Sequence, residues 1–250
     1  MSRRVHLALT LLLLASCADD ESGGAGGAGA GPTGGGGAAA EGGSSAATGG
    51  GGSMNVGGPF TCRADADGKT TLVFVNQCSA PIELRGSDLA DATLAPGHYE
   101  CRDAGTDVEQ LNAKRYWGFI GEDPGGGHHT LAEFTFNTDF NDFDWYNISH
   151  VDAHNLTMQI EPLDRADCDT LTCSDPTLLT DCPDVGRLEN GAGELVSCVS
   201  PERDNPDSPV ALHFESCDDA YAWSGDDQQG DDPSPVRACA GEDFKIVFCP

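Results

Sequence analysis

The chain has 250 residues, with 41 Asp and Glu against 13 Lys and Arg, and a formal net charge of −28. That balance excludes a basic nucleic-acid footprint and argues against binding to anionic lipid headgroups. After the first 17 residues, no apolar run is long enough to cross a membrane as a helix.

Arg3 and Arg4 precede a mostly apolar run from Leu7 to Leu14, and residues 1–17 read as an export signal too short to span a bilayer. The run ends Leu14-Ala15-Ser16-Cys17, which resembles the bacterial lipobox. In such a motif the cysteine receives a diacylglyceryl group and becomes the first residue after cleavage. Lipidation of Cys17 is preferred to an ordinary signal with a chance cysteine, because a tether follows and not a fold. That tether, residues 18–58, is almost entirely Gly, Ala, Ser and Thr. It has no apolar surface to offset its ordering entropy. As a coil of about 40 residues it would span roughly 35 Å.

Residues 59–250 form the folded part, about 190 residues and enough for one sizeable core. Short β-like runs are predicted at 71–75, 81–84, 115–120, 131–136, 156–160, 210–214 and 244–248, separated by Gly, Pro, Asp and Asn. No long segment carries a helical period. The pattern is all-β: an antiparallel sandwich with loop-rich excursions. In 131–136 the alternation places Ala132, Phe134 and Phe136 on one face and Leu131, Glu133 and Thr135 on the other. With the phenylalanines in the core, Glu133 points away from it.

Eleven cysteines are present; setting Cys17 aside leaves an even ten in an exported domain, which implies disulfides. Cys168 and Cys173 lack a matching close pair or nearby histidines, so zinc is not expected. Sequence alone leaves the connectivity open. Asp139, Asn141, Asp142 and Asp144 lack the glycine and final Glu of an EF-hand, and Asp226, Asp227, Asp231 and Asp232 read as a solvated turn. His128-His129 follows three glycines and reads as an exposed loop. Asn147-Ile148-Ser149 and Asn155-Leu156-Thr157 are formal sequons, read here as polar residues of strands. No metal or cofactor is expected.

Three stretches carry a resemblance. They are Leu131-Ala132-Glu133-Phe134, then Tyr146-Asn147-Ile148-Ser149, then Val151-Asp152-Ala153-His154-Asn155-Leu156-Thr157-Met158. In order and spacing they are similar to the signature of thaumatin-like proteins. Val75-Asn76-Gln77-Cys78, the run 216–223 and the closing Phe248-Cys249-Pro250 extend the likeness over most of 71–250. The resemblance implies a flattened antiparallel β-sandwich with small disulfide-rich loop regions beside it and an acidic cleft between. It implies the bridges Cys78–Cys249, Cys168–Cys239, Cys173–Cys217 and Cys182–Cys198. Cys62 and Cys101, without a clear family counterpart, are left to pair with each other.

The family's cleft set is one Arg, one Glu and three Asp. By position these fall on Arg115, Glu133, Asn147, Asp152 and Asp226, with Asn147 replacing an Asp. Glu133 and Asp152 are the candidate catalytic pair; Arg115, Asn147 and Asp226, with Trp117 and Trp145, would bind substrate. Each has a plainer reading as a structural polar residue. Glycosidases need two carboxyls, and Asn cannot exchange a proton in that role. The short Gly-rich connection between Trp117 and Leu131, and the absence of cysteines between 198 and 217, would reshape the cleft rim. The resemblance therefore implies a polysaccharide-binding domain of the β-1,3-glucan type with at most weak endo-β-1,3-glucanase activity. The alternative is a non-catalytic, disulfide-stabilised surface or adhesion protein. Either would be an exported monomer, lipid-anchored to a bacterial membrane at the outer membrane or cell surface, with no nucleic-acid partner.

Overall fold

A computed structural model describes residues 52–53, 70–103, 113–136, 143–163, 165–228, 234–241 and 243–250. Cys17, the tether apart from Gly52 and Ser53, Cys62, Asp139, Asn141, Asp142, Asp231 and Asp232 lie outside the described residues. In chain order the strands begin with β1 (Gly52–Ser53), β2 (Thr71–Asn76), β3 (Ile82–Gly86), β4 (Ala92–Leu94), β5 (His98–Asp103) and β6 (Lys114–Phe119). Then come β7 (Leu131–Thr135), β8 (Asp144–Ser149), β9 (Ala153–His154), β10 (Met158–Pro162) and β11 (Leu171–Cys173). The last are β12 (Arg187–Glu189), β13 (Leu195–Val199), β14 (Ala220–Tyr221), β15 (Val236–Cys239) and β16 (Asp243–Phe248). Two short helices, α1 (Thr177–Thr180) and α2 (Pro209–Phe214), interrupt them.

Six strands form one sheet in the order β1-β5-β2-β16-β10-β11, and a seven-stranded sheet runs β14-β8-β7-β6-β3-β4 with β15 also on β8. A small third sheet is ordered β12-β13-β9. The alternation predicted for β7 holds: Ala132, Phe134 and Phe136 are buried, and Glu133 is half-buried on the opposite face. Phe134 and Tyr146 from the seven-stranded sheet meet Phe244 of the other at ring distances of 5.2 and 5.1 Å, and Tyr116 meets Phe74 at 5.4 Å. These aromatics, with Leu72, Ile82, Leu84, Ile148, Ile160 and Ile246, fill the space between the sheets. β2 is buried along its whole length, and its other face packs Val73 and Val75 with Tyr99 and Val247. That explains its unbroken apolar run.

Three features differ from the sequence expectation. β2 and β16 pair in parallel, from Thr71 opposite Asp243 to Asn76 opposite Phe248, as do β14 and β8. Parallel neighbours need a long crossover, and here nearly the whole domain supplies it. Residues 210–214, predicted as a strand, belong to helix α2. Ser208 caps it by accepting from Ala211 N at 3.1 Å, Pro209 opens it, and Val210, Ala211 and Phe214 face the core. β8 is missing from the predicted β-like runs, although Asn147-Ile148-Ser149 reads as strand: its inward row of Tyr146 and Ile148 begins with a buried Asp144, which hides the alternation.

Four disulfides join Cys78–Cys249, Cys168–Cys239, Cys173–Cys217 and Cys182–Cys198. Cys101 is disulfide-bonded as well; Cys62, its expected partner, lies outside the described residues. Among the described residues no helix is long and apolar enough to cross a membrane. Among them, too, no three His, Cys, Asp or Glu side chains are grouped to hold a metal ion.

Candidate functional site: the outward face of β6, β7 and β8

Because strand side chains alternate, each of these strands turns every second residue away from the core. Register then decides which outward residues meet. Arg115 is opposite Glu133, and Glu133 is opposite Asn147. The three form one row across the sheet. Arg115 Nε donates to Glu133 Oε1 at 3.0 Å, and Asn147 Nδ2 donates to Glu133 Oε2 at 3.1 Å. Both carboxylate oxygens of Glu133 thus carry a donor, one charged and one neutral. The Arg115 guanidinium remains more than half exposed, at 56%, so much of its donor fork is open to a ligand.

The next row toward the end of β8 holds Leu131 and Ser149, which are opposite each other, and Tyr221 of β14, opposite Ser149. Trp117 lies on the same face of β6, two residues beyond Arg115. Trp145, opposite Thr135 and Ala238, lies on the other side of the Arg–Glu–Asn row. Aromatic side chains therefore stand on both sides of the polar row.

Tyr221 links that row to the 221–228 turn. Burial, then the charge of Asp227 and a hydrogen bond to it, then the charges of Glu133 and Asp226, push the Tyr221 phenol well above its usual range. The hydroxyl therefore stays protonated. Asp226 itself caps the turn, with Oδ2 accepting from Ala222 N at 2.9 Å. Burial and neighbouring Asp227 raise its carboxyl, against that backbone hydrogen bond. The turn needs Gly225, because an added Cβ would lie 2.4 Å from the Trp223 ring.

Asp152 follows β8 in a turn and pairs with Arg203 Nη1 at 3.2 Å. The backbone oxygen of Arg203 accepts from Ser224 N at 2.9 Å, so Asp152 and the Asp226 turn are held by one loop. Of the five candidate positions, Arg115, Glu133 and Asn147 are in direct contact. Asp152 and Asp226 belong to the flanking turns and are satisfied there by other groups. Tyr221 and Arg203 carried no role in the sequence reading. The signal for Arg203 is its rarity, as one of 13 cations among 41 acids. Tyr221 was part of the family-like 216–223 run, where no chemistry distinguishes it from a core tyrosine.

The 121–130 connection closes the far end. His129 was expected in an exposed loop, but it is only 4% exposed. Its ring lies 5.7 Å from Trp117 and 5.8 Å from Phe119, and its Nε2 is 2.9 Å from Asp123 Oδ1. The stacking surface explains its burial. Burial lowers its basicity, and the Asp123 charge and hydrogen bond oppose that.

Residues 121–250, just over half of the chain, match the sequence profile of the thaumatin family. Arg115 and Trp117 lie before that segment; Glu133, Trp145, Asn147, Asp152 and Asp226 lie in it. A glucan endo-1,3-beta-glucosidase from Prunus avium is 28% identical over 140 residues, which is 48% of this chain and 55% of that protein. Thaumatin-like protein 2 from Prunus persica is 28% identical over 179 residues, 64% of this chain and 68% of the relative. The chain thus spans about half the length of the Prunus avium protein. Among solved structures, a thaumatin-like xylanase inhibitor superimposes with a TM-score of 0.37 at 16% identity, over 72% of this chain and 99% of that one.

Proposed function

Because this chain belongs to the thaumatin family, we propose that its domain binds a neutral polysaccharide of the β-1,3-glucan type along the outward face of β6, β7 and β8, with at most weak hydrolysis. The observation that carries this is Glu133 held between Arg115 and Asn147. A rigid row of charged acceptor, charged donor and amide suits sugar hydroxyls, and Trp117 and Trp145 offer ring faces beside it. Tyr221 adds a phenol that stays protonated.

Hydrolysis is disfavoured by the same contacts. A glycosidase holds one carboxyl protonated and another ionised across the bond. Here the groups hydrogen-bonded to Glu133 are a guanidinium and an amide, and Asp152 is paired with Arg203. The Prunus avium relative named as a glucan endo-1,3-beta-glucosidase favours the substrate class. In this reading the domain is exported and held at a bacterial membrane by a diacylated Cys17, with the tether giving it reach.

Two measurements on the purified protein test the reading. Laminarin should bind in calorimetry, while reducing-sugar release stays near background. No binding to laminarin or to any glycan on an array would leave the alternative, a disulfide-stabilised surface protein. Mass spectrometry of the mature N-terminus tests the anchor; an unmodified Cys17 would refute it.

A further inference from the structure

A second polar cluster lies at the turn leaving β8. His150 and His154 are 0% and 1% exposed. Their rings meet edge to face, with His154 Nδ1 3.2 Å from His150 Nε2. The protons in this contact can be assigned. Thr130 Oγ1 accepts from the backbone N–H of Asn155 at 3.2 Å and of Leu156 at 3.4 Å. Its own proton then goes to His154 Nδ1, 3.3 Å away. His154 Nδ1 is therefore bare, and His150 Nε2–H donates to it. That leaves His150 Nδ1 bare too, buried and without a hydrogen-bond partner among the described residues. Both rings are neutral. A proton added at His154 Nδ1 would face two donors, and one added at His150 Nδ1 would find no acceptor.

The surroundings offer little to hold a positive charge. From α2, Phe214 packs on both rings, and His213 Nε2 is 3.0 Å from Leu178 O. From β13, Cys198 is opposite His154 in a disulfide, and Ser197 donates to the backbone oxygens of His154 and His128. From the 121–130 connection, Asp123 is occupied by His129. Beyond the turn, Asp152 is occupied by Arg203. The carboxylate whose charge reaches His154 is Asp175, and its Oδ1 already accepts from Thr177 N and Oγ1.

The pair also touches both flanks of the outward face. His150 N donates to Tyr221 O at 2.9 Å. Thr130, bound to His154, directly follows the His129 that packs on Trp117. We propose that His150 and His154 form a proton-operated latch: neutral, they fasten Tyr221 and the 128–130 loop to the end of β8, and protonation releases both, so the outward face loses its ligand in acid. The ligand half of this rests on the polysaccharide reading; the latch does not.

The sign follows from the environment. Burial, then His154, push His150 well below the usual imidazole range. Burial, then His213, push His154 down to about 3, against the charge of Asp175. Both folded values lie below an unfolded value of about 6.5. The unfolded segment therefore binds more protons, and the latch is at full strength above about pH 6.5 and weakens as pH falls toward about 3.

Hydrogen exchange on the whole protein reads the latch without any sugar. Between about pH 7 and about pH 4.5, corrected for intrinsic rates, protection at the amides of His150, Asn155 and Leu156 should fall about tenfold or more. The amides of β2 and β16 should hold. Carboxylates titrate in the same window, so variants carry the test. His150→Phe removes the orphaned nitrogen and keeps an aromatic ring against Phe214; it should shrink the loss, and adding His154→Gln should abolish it. Unchanged wild-type protection, or an equal acid loss in His150→Phe, overturns the latch. Laminarin affinity should weaken over the same pH range in the wild type and not in the double variant. A wild type that binds no laminarin at either pH removes the ligand, and exchange still decides the latch.

Discussion

At the scale of single residues, the site turns on one substitution within a familiar pattern. An Asp at 147 would stand where Asn147 Nδ2 now sits, 3.1 Å from Glu133 Oε2. Two carboxylates that close cannot both ionise, so Asn147→Asp should bind a shared proton. The pair's folded proton affinity would then exceed that of unfolded Asp or Glu. Its stabilising effect is present at low pH and lost as pH rises through the pair's folded value. Relative to wild type, the variant should be weaker at neutral pH than at about pH 4 by on the order of 1–2 kcal/mol. Paired denaturant titrations at the two pH values check this, and a pH-independent difference would mean that the two side chains separate. Glu133→Gln is the complement. It removes an ion pair whose Arg is 56% exposed, so stability should change by less than about 1 kcal/mol. Laminarin affinity should nevertheless drop by roughly tenfold, because a charge-assisted acceptor becomes a neutral one.

At the scale of elements, period-2 alternation made β7 legible, inside and outside faces included, and through it the orientation of Glu133. It did not reveal β8, because Asp144 occupies the first inward position of that strand and acids surround it in sequence. Asn147 was therefore identified by resemblance, and its bond to Glu133 needed the register of two strand pairs. The Val210–Phe214 run misled for a different reason. Five residues are too few to separate a buried helix from a strand by period. The deciding signal lay just before them, in Ser208-Pro209, a cap followed by the residue that best opens a helix. Ser208→Ala should cost about 1 kcal/mol, through the lost hydrogen bond to Ala211 N. Because Phe214 of the same helix packs on His150 and His154, exchange at the β8 turn should also quicken. A stability loss with no change at that turn would place the cap's effect within α2 alone.

At the scale of the whole molecule, the first and last long strands run side by side in parallel, and the Cys78–Cys249 bridge closes directly beyond them. Parallel pairing forces the two strands to be far apart in sequence, here by 171 residues between the bridged cysteines. Bringing such distant segments together is entropically the most demanding step in the fold. On the chain-entropy model, a loop of that length contributes on the order of 5 kcal/mol, whereas the 16-residue separation of Cys182 and Cys198 gives about 3. The paired variants Cys78→Ser with Cys249→Ser, and Cys182→Ser with Cys198→Ser, separate the two effects. The first should melt roughly 4–8 °C below the second, since about 2 kcal/mol distinguishes them and each is worth about 2–4 °C at this size. The short bridge holds β13, whose Cys198 lies opposite His154, so its loss should act on the latch and the rim of the site more than on the sandwich. If instead the two double variants melt together, the β2–β16 pairing is set by its buried side chains alone, and the long bridge adds only a lock on an interface that already forms.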